Sequence, residues 1–280
     1  MGHTLSPVMH AAAAKLVGLN VVYRAVPVAP EEWDEFARQA EALPLKGLNV
    51  TVPHKELATR WPGLRAQRNA PWAGIGAVNT LSRTARGWEA HNTDVEGFFE
   101  DCGALGISFA GRRVLLLGAG GAARAILFGF SGRKTPASVR LIDSAPGKAE
   151  KLADQARFSV GAPISIGSAA SPEDVAAADV VINATPAGLK PGDPSPADLS
   201  TLRRGAVAYD LIYHRLTAFR SAARSRGAAD HGGLGMLVRQ GARSFEIWFG
   251  DELRKTPGYS AQALRGVMRE AAENAMKEKS

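Results

Sequence analysis

The sequence predicts an α/β protein of two domains, the second built on a parallel sheet. Three observations carry that reading. The stretch Val114-Leu-Leu-Leu-Gly-Ala-Gly-Gly-Ala-Ala-Arg124 runs an apolar strand straight into a glycine-rich turn and then an alanine-rich helix. From Arg113 onward, short apolar runs alternate with helical patterns, the order that yields a parallel sheet with covering helices. At 280 residues the chain is long enough for two domains.

Taken in order, Ser6-Pro7 reads as a helix cap with proline at the first helical position, leading into a helix over Val8 to Leu16. Asn20 to Val26 alternates like a strand, and Pro30 to Ala42 carries Trp33, Phe36 and Ala40 at helical spacing. Gly47 to Val52 is a short strand stopped by Pro53, and Gly76 to Ser82 pairs with Gly87 to Ala90 across a turn. Thr93-Asp-Val-Glu96 opens the next helix as a capping box, and that helix links the domains. The parallel-sheet domain then places strands at Val114 to Leu117, Val139 to Ile142, Val180 to Asn183 and Ala206 to Leu211. Helices fall at Ala122 to Phe130 and Gly147 to Gln155. The tail from Gly235 is mostly helical, anchored in the core by Phe245, Ile247, Trp248 and Phe249. The opening Met1-Gly2-His3 leads directly into Thr-Leu-Ser-Pro, as though a strand-loop-helix unit lacked its strand.

Composition narrows the function classes. A 45% hydrophobic and 22% charged chain is an ordinary folded protein, which excludes disorder as the default. The formal charge of +7 invites a nucleic-acid reading, but Lys and Arg are scattered, with no run longer than a pair. Anionic small ligands account for the excess equally well. A single cysteine, Cys102, rules out an internal disulfide and a cysteine zinc site, so no metal is expected and a reducing compartment fits. With no 18-residue apolar run and no signal peptide, a cytoplasmic location without membrane or nucleic-acid partners is expected.

The glycine-rich turn is a dinucleotide cradle. Gly118 permits the tight turn, Gly120 lets a pyrophosphate approach the backbone, and Ala123 allows close packing of helix on strand. Gly118, Ala119, Gly120, Gly121 and Ala122 are therefore the candidate phosphate-binding residues, at a helix N-terminus that offers free N–H groups. The strand Ser138 to Asp143 ends in an acid about 20 residues on, where a ribose hydroxyl would be received. A nicotinamide enzyme also needs a group that exchanges a proton with the substrate oxygen. Lys55, just past a strand end, is the candidate, with Asp94 at a helix N-terminus as its ion-pair partner. Read singly, each is also what a solvated lysine and a first-turn helix acid look like.

Seven ordered segments resemble those of the shikimate dehydrogenase family over nearly the whole chain. They are His3-Thr-Leu-Ser-Pro7, Gly47-Leu-Asn-Val-Thr-Val-Pro-His-Lys55, Gly76-Ala-Val-Asn-Thr80, Asn92-Thr-Asp94, Gly118-Ala-Gly-Gly-Ala-Ala-Arg124, Asn183-Ala-Thr-Pro-Ala-Gly188 and Gly235-Met-Leu-Val-Arg-Gln240. The resemblance implies that Lys55 and Asp94 are the catalytic pair, with Lys55 handling the proton at the carbinol oxygen. It implies that Thr4 and Ser6 bind the substrate carboxylate, that Thr51, Asn79 and Gln240 bind its hydroxyls, and that Tyr213 lies near the substrate. On the cofactor side it adds Ala184, Thr185 and Gly233. The implied fold is an N-terminal α/β substrate domain of residues 1–95 plus 236–280, a Rossmann domain of residues 96–235, and a cleft between them; the C-terminal helices return to the first domain. The implied reaction is the reversible oxidation of shikimate to 3-dehydroshikimate by NAD(P), and a homodimer is left open.

Three departures qualify the resemblance. Thr4 stands where the family often has Ser, the first strand is missing, and Asp143-Ser144-Ala145 aligns with the Asn-Arg-Thr of NADP-using members. An acid accepts a ribose 2′-hydroxyl and repels a 2′-phosphate, so NAD is favoured, with NADP still allowed by the resemblance. Arg140 and Lys148 are the cations that could rescue phosphate binding, or else are solvated surface charges. An NAD-dependent quinate/shikimate dehydrogenase of broader range is the rival within the class. A non-catalytic binding paralogue is the rival outside it, opposed by the intact Lys55 and Asp94.

Overall fold

A computed structural model describes residues 4–65, 74–131 and 134–278. His3, the first residue of the opening motif, lies outside them. The chain divides into two compact units, one of Met1–Phe98 with Leu237–Ser280 and one of Phe99–Met236.

The first unit opens with helix α1, Ser6–Leu16. It begins at Ser6, so Leu5 rather than Ser6 holds the capping position, and the Ser6 amide donates to Thr4 Oγ1 at 3.3 Å. Residues 19–29 run as irregular chain. The strand expected over Asn20 to Val26 is absent because no strand lies beside it among the described residues to take its ladder. Its period-two pattern instead seats Tyr23 on the buried His10 ring, stacked at 4.3 Å. A 3₁₀ turn leads into α2, Trp33–Glu41.

Strands β1 (Gly47–Asn49), β2 (Thr80–Thr84) and β3 (Gly87–His91) form an antiparallel sheet in sequential order. Gly47 is there for close approach. A Cβ would collide with the Trp248 indole, whose Nε1 donates to the Leu81 carbonyl at 2.9 Å. Trp33, Val50, Trp61, Leu81 and Trp88 form the apolar core beneath. Helix α3, Thr93–Ala104, follows β3. The expected capping box does not form: the Asp94 amide donates to Asn92 Oδ1, and Glu96 is drawn away to Arg243 at 2.8 Å. Thr93 turns inward instead, toward polar partners that outbid its own helix.

The second unit is a six-stranded parallel sheet in the order β6-β5-β4-β7-β8-β9. Its strands are β4 (Arg113–Leu117), β5 (Ser138–Ile142), β6 (Ile164–Gly167), β7 (Val180–Asn183), β8 (Val207–Asp210) and β9 (Ala229–Gly232). Helices α4 (Gly121–Phe128), α5 (Lys148–Ala156), α6 (Pro172–Ala177) and α7 (Ala218–Ser225) alternate with them. This is the doubly wound dinucleotide-binding order, whose direction reverses between β4 and β7. Val180, Val181 and Ile182 are fully buried, as a strand covered on both faces must be. Helices α8 (Leu234–Lys255) and α9 (Ala261–Lys277) close the chain, and α9 packs along α1 in the first unit. No helix among the described residues is long and apolar enough to cross a membrane.

Candidate active site

In the first unit three separate sequence motifs meet on Asn79. Its amide donates to the His91 carbonyl at 3.1 Å, its carbonyl accepts from Val50 at 2.8 Å, and the neighbouring Val78 amide donates to the Lys55 carbonyl at 2.8 Å. These backbone bonds lie just before β2 and bring residues 47–55, 76–80 and 91–94 into one place.

Lys55 Nζ donates to Asp94 Oδ2 at 2.7 Å, with side chains only 12% and 7% exposed. Asp94 Oδ1 accepts from Asn79 Nδ2 at 2.9 Å. The Asn79 amide cannot face the other way, since its Oδ1 accepts from the Thr93 backbone amide at 2.7 Å. Asp94 is therefore gripped at both oxygens. A buried pair of this kind contributes little net stability against its desolvation.

The other expected substrate residues fall as follows. Thr4 and Ser6 are half-buried at the start of α1. Thr51 is exposed past β1, its carbonyl accepting from the His54 amide at 2.9 Å. Gln240, half-buried on α8, donates from Nε2 to the Leu237 carbonyl at 2.9 Å. Tyr213 belongs to the second unit, just past β8, where burial raises its phenol above the ordinary range.

Residues that the sequence reading passed over complete this cluster. Ser244 Oγ lies 2.8 Å from Asn49 Nδ2 and 2.9 Å from Thr80 Oγ1, and Tyr23 donates to Asn49 Oδ1 at 3.0 Å. Ser244 was findable: it stands four residues after Gln240 on one helix, hence on the same face. Tyr23 was hidden inside a segment read as a strand.

In the second unit the expected cofactor residues gather at the carboxyl ends of the strands, where ligands of such sheets bind. Gly118 has φ of 99°, and a Cβ there would come within 2.9 Å of the Ala184 carbonyl and 3.2 Å of Thr185 Cγ2. Ala184 donates to the Leu117 carbonyl at 2.8 Å, and Thr185 is held by Asn183 Oδ1 through both its amide and its hydroxyl. Gly120, Gly121 and Ala122 form the α4 N-terminus. A Cβ at Gly120 would meet no atom of the described residues within 4 Å, so their packing does not require glycine there, whereas a ligand resting on the backbone would. Asp143 accepts from the Ala119 amide at 2.7 Å and from the Ala145 amide at 2.9 Å. Gly233 donates to the Ile212 carbonyl at 3.2 Å, and a Cβ there would strike Leu211. These residues fit a dinucleotide: an open glycine turn, a helix N-terminus and an acid beside them.

Comparison with known proteins bears on both units. Residues 1–81 match the family model described as the shikimate dehydrogenase substrate binding domain, and residues 233–253 match that of the shikimate 5'-dehydrogenase C-terminal domain. A shikimate dehydrogenase (NADP(+)) from Moorella thermoacetica is 40% identical over 255 residues, covering 89% of this chain and 85% of that protein. The chain belongs to the shikimate dehydrogenase family. The crystal structure of shikimate dehydrogenase from Aquifex aeolicus superposes with a TM-score of 0.81 at 32% identity, covering 96% of this chain and 94% of that one. A shikimate 5-dehydrogenase from Thermus thermophilus, solved in complex with NADP(H) and shikimate, gives 0.79 at 32% identity over 98% and 95% of the two chains.

Proposed function

We propose that this protein is a shikimate dehydrogenase that interconverts shikimate and 3-dehydroshikimate, with Lys55 and Asp94 as its catalytic pair. The observation that carries the assignment is the buried 2.7 Å contact between Lys55 Nζ and Asp94, locked from behind by Asn79. When bound, the nicotinamide dinucleotide supplies the acceptor or donor of the hydride. Lys55 handles the proton: it takes the hydrogen of the carbinol O–H during oxidation and returns it to the carbonyl oxygen during reduction. Asp94 orients the amine and balances its charge. Thr4 and Ser6 are assigned to the carboxylate, and Thr51, Gln240 and Tyr213 to the rest of the polyhydroxylated ring; Asn79 joins them only by exchanging its Thr93 or Asp94 bond for one to the ring. Such a ligand needs convergent amide and hydroxyl partners, because each buried group left unpaired weakens binding.

Apart from Tyr213, the residues assigned to substrate lie in the first unit, and the second is assigned to the dinucleotide through Gly118 to Ala122, Asp143, Ala184, Thr185 and Gly233. For the choice of dinucleotide, Asp143 supports NAD. Its carboxylate is fixed at the end of β5, and Arg140 is drawn off to Asp174 at 3.0 Å and to the Ile166 carbonyl, leaving it unfit to rescue a 2′-phosphate. Lys148, exposed at the first turn of α5, is the cation that favours NADP, in line with the naming of the Moorella relative. Initial rates with shikimate and quinate, each with NAD and NADP, test the whole assignment. Absence of turnover with shikimate under either cofactor overturns it.

A further inference from the structure

Ser244 is fully buried on α8, and four polar atoms surround its hydroxyl. They are the Gln240 carbonyl at 3.0 Å, Asn49 Nδ2 at 2.8 Å, Thr80 Oγ1 at 2.9 Å and Thr93 Oγ1 at 3.3 Å. A hydroxyl has one proton and two lone pairs. The Gln240 carbonyl only accepts, so the Ser244 proton goes there. Asn49 Nδ2 only donates, so it takes one lone pair, and the second is left for the Thr80 or Thr93 hydroxyl.

The remaining bonds follow from that first choice. Asn49 sends its other amide proton to Thr80 Oγ1 at 3.0 Å, while its Oδ1 is closed off by Tyr23. Each threonine hydroxyl has one proton, so one of the two donates to Ser244 and the other to Asn79 Oδ1, which lies 3.0 Å from Thr80 Oγ1 and 3.3 Å from Thr93 Oγ1, while Thr93 Oγ1 accepts from Asn79 Nδ2 at 2.9 Å. The circuit leaves through Asn79 Nδ2 to Asp94, and from Asp94 to Lys55. Asn79, Thr80, Thr93 and Asp94 are each at most 5% exposed, so water is not at hand to replace a lost member. In so dry a network one missing partner forces the others to turn.

We propose that Ser244 is a positioning residue for the Lys55–Asp94 pair: its hydroxyl closes the circuit of half-buried Asn49 and buried Thr80 and Thr93 that holds Asn79 against Asp94. The proposal rests on the reading of Lys55 and Asp94 as the reacting pair. Ser244 touches neither of them, and its effect on the reaction passes through Asn79. Because it also holds the Gln240 carbonyl, the same hydroxyl ties a proposed substrate residue to the proton-handling group.

The test uses the full-length enzyme with saturating dinucleotide. Ser244→Ala and Thr80→Val remove a hydroxyl with little change of shape, and Thr80→Ser keeps it. The first two should each lower kcat about tenfold or more, the scale on which small misplacements of reacting groups act. KM for the dinucleotide should stay within about twofold, while Thr80→Ser stays near wild type. The double variant Ser244→Ala with Thr80→Val should be little worse than either single one, because both break one circuit. Wild-type kcat and KM in Ser244→Ala, beside an inactive Lys55→Ala, would overturn the positioning role and leave the catalytic pair standing. Fully additive losses in the double variant would overturn it as well. An active Lys55→Ala would instead overturn the pair itself, and the role of Ser244 with it. Should Ser244→Ala fail to fold, the contrast between Thr80→Val and Thr80→Ser decides.

Discussion

Ala119 and Asp143 hold one another directly: the Ala119 amide donates to Asp143 Oδ2 at 2.7 Å, tying the turn after β4 to the end of β5. The second carboxylate oxygen takes the Ala145 amide at 2.9 Å, so both oxygens are anchored and the acid cannot swing away from a ligand beside it. A fixed negative charge at that place repels a phosphate and leaves lone pairs for ribose hydroxyls.

Wild-type enzyme should accordingly show the higher kcat/KM with NAD at fixed shikimate. Replacing Asp143-Ser144-Ala145 with Asn-Arg-Thr should reverse the order, because an arginine fork meets the phosphate at two oxygens and the Asn oxygen still accepts one of the two amides. Lys148→Ala gives the counter-test. If wild type prefers NADP and this variant loses the preference, the phosphate is held by Lys148 and the argument from Asp143 is wrong.

Lys55→Ala and Asp94→Asn should each reduce kcat by ~10²–10⁴, the usual contribution of a positioned acid or base. Dinucleotide affinity, measured by fluorescence titration without substrate, should change by no more than about twofold, since the proposed cofactor residues all lie in the second unit. Near-normal kcat in both variants would remove the pair from the mechanism.

Two glycines of the same turn separate folding from binding. Gly118→Ala puts a side chain at φ of 99° and against the Ala184 carbonyl, so it should cost at least ~1–2 kcal/mol and lower Tm by several degrees. Gly120→Ala has φ of −79° and open space, so its Tm should match wild type while the dinucleotide KM rises. Equal Tm losses in the two variants would mean that both glycines serve packing alone.

How much of this was legible beforehand depends on the range of each signal. The β4 turn and α4 were readable because a tight turn from strand to helix writes its needs into adjacent residues: Gly118 takes φ of 99° close against Ala184. Lys55 and Asp94 were readable only through whole motifs, since their meeting depends on Asn79 bonding backbone to backbone with Val50 and His91. Strand β6, helix α6, helix α7 and strand β9 carried too weak a period to stand out. Asn20 to Val26 misled, because alternation reports which side chains face inward and says nothing about whether a neighbouring strand exists. Thr93 misled for a related reason: a helix-capping pattern was overruled by Asn79, Thr80 and Ser244, which lie far away in sequence.

His10 supplies a test of the first unit that needs no ligand. Its ring is buried among Tyr23, Phe245 and Trp248, its Nδ1 has no hydrogen-bond partner among the described residues, and burial lowers its pKa to about 3. In the unfolded chain the same imidazole titrates near ~6.5. Between those values the unfolded state binds a proton that the folded state refuses, so stability falls as pH drops through that window. The slope contributed by His10 approaches ~1.4 kcal/mol per pH unit. His91 and His231 are also lowered by burial and add slope of the same sign, so the measurement must be a difference. His10→Phe keeps a flat ring against Tyr23 and removes the titrating group. Urea midpoints of wild type and variant, followed from pH 7 to pH 4.5, should diverge below about 6.5, with the variant losing less stability on acidification. Parallel curves would show that His10 takes its proton in the folded state and that its pocket is open to water.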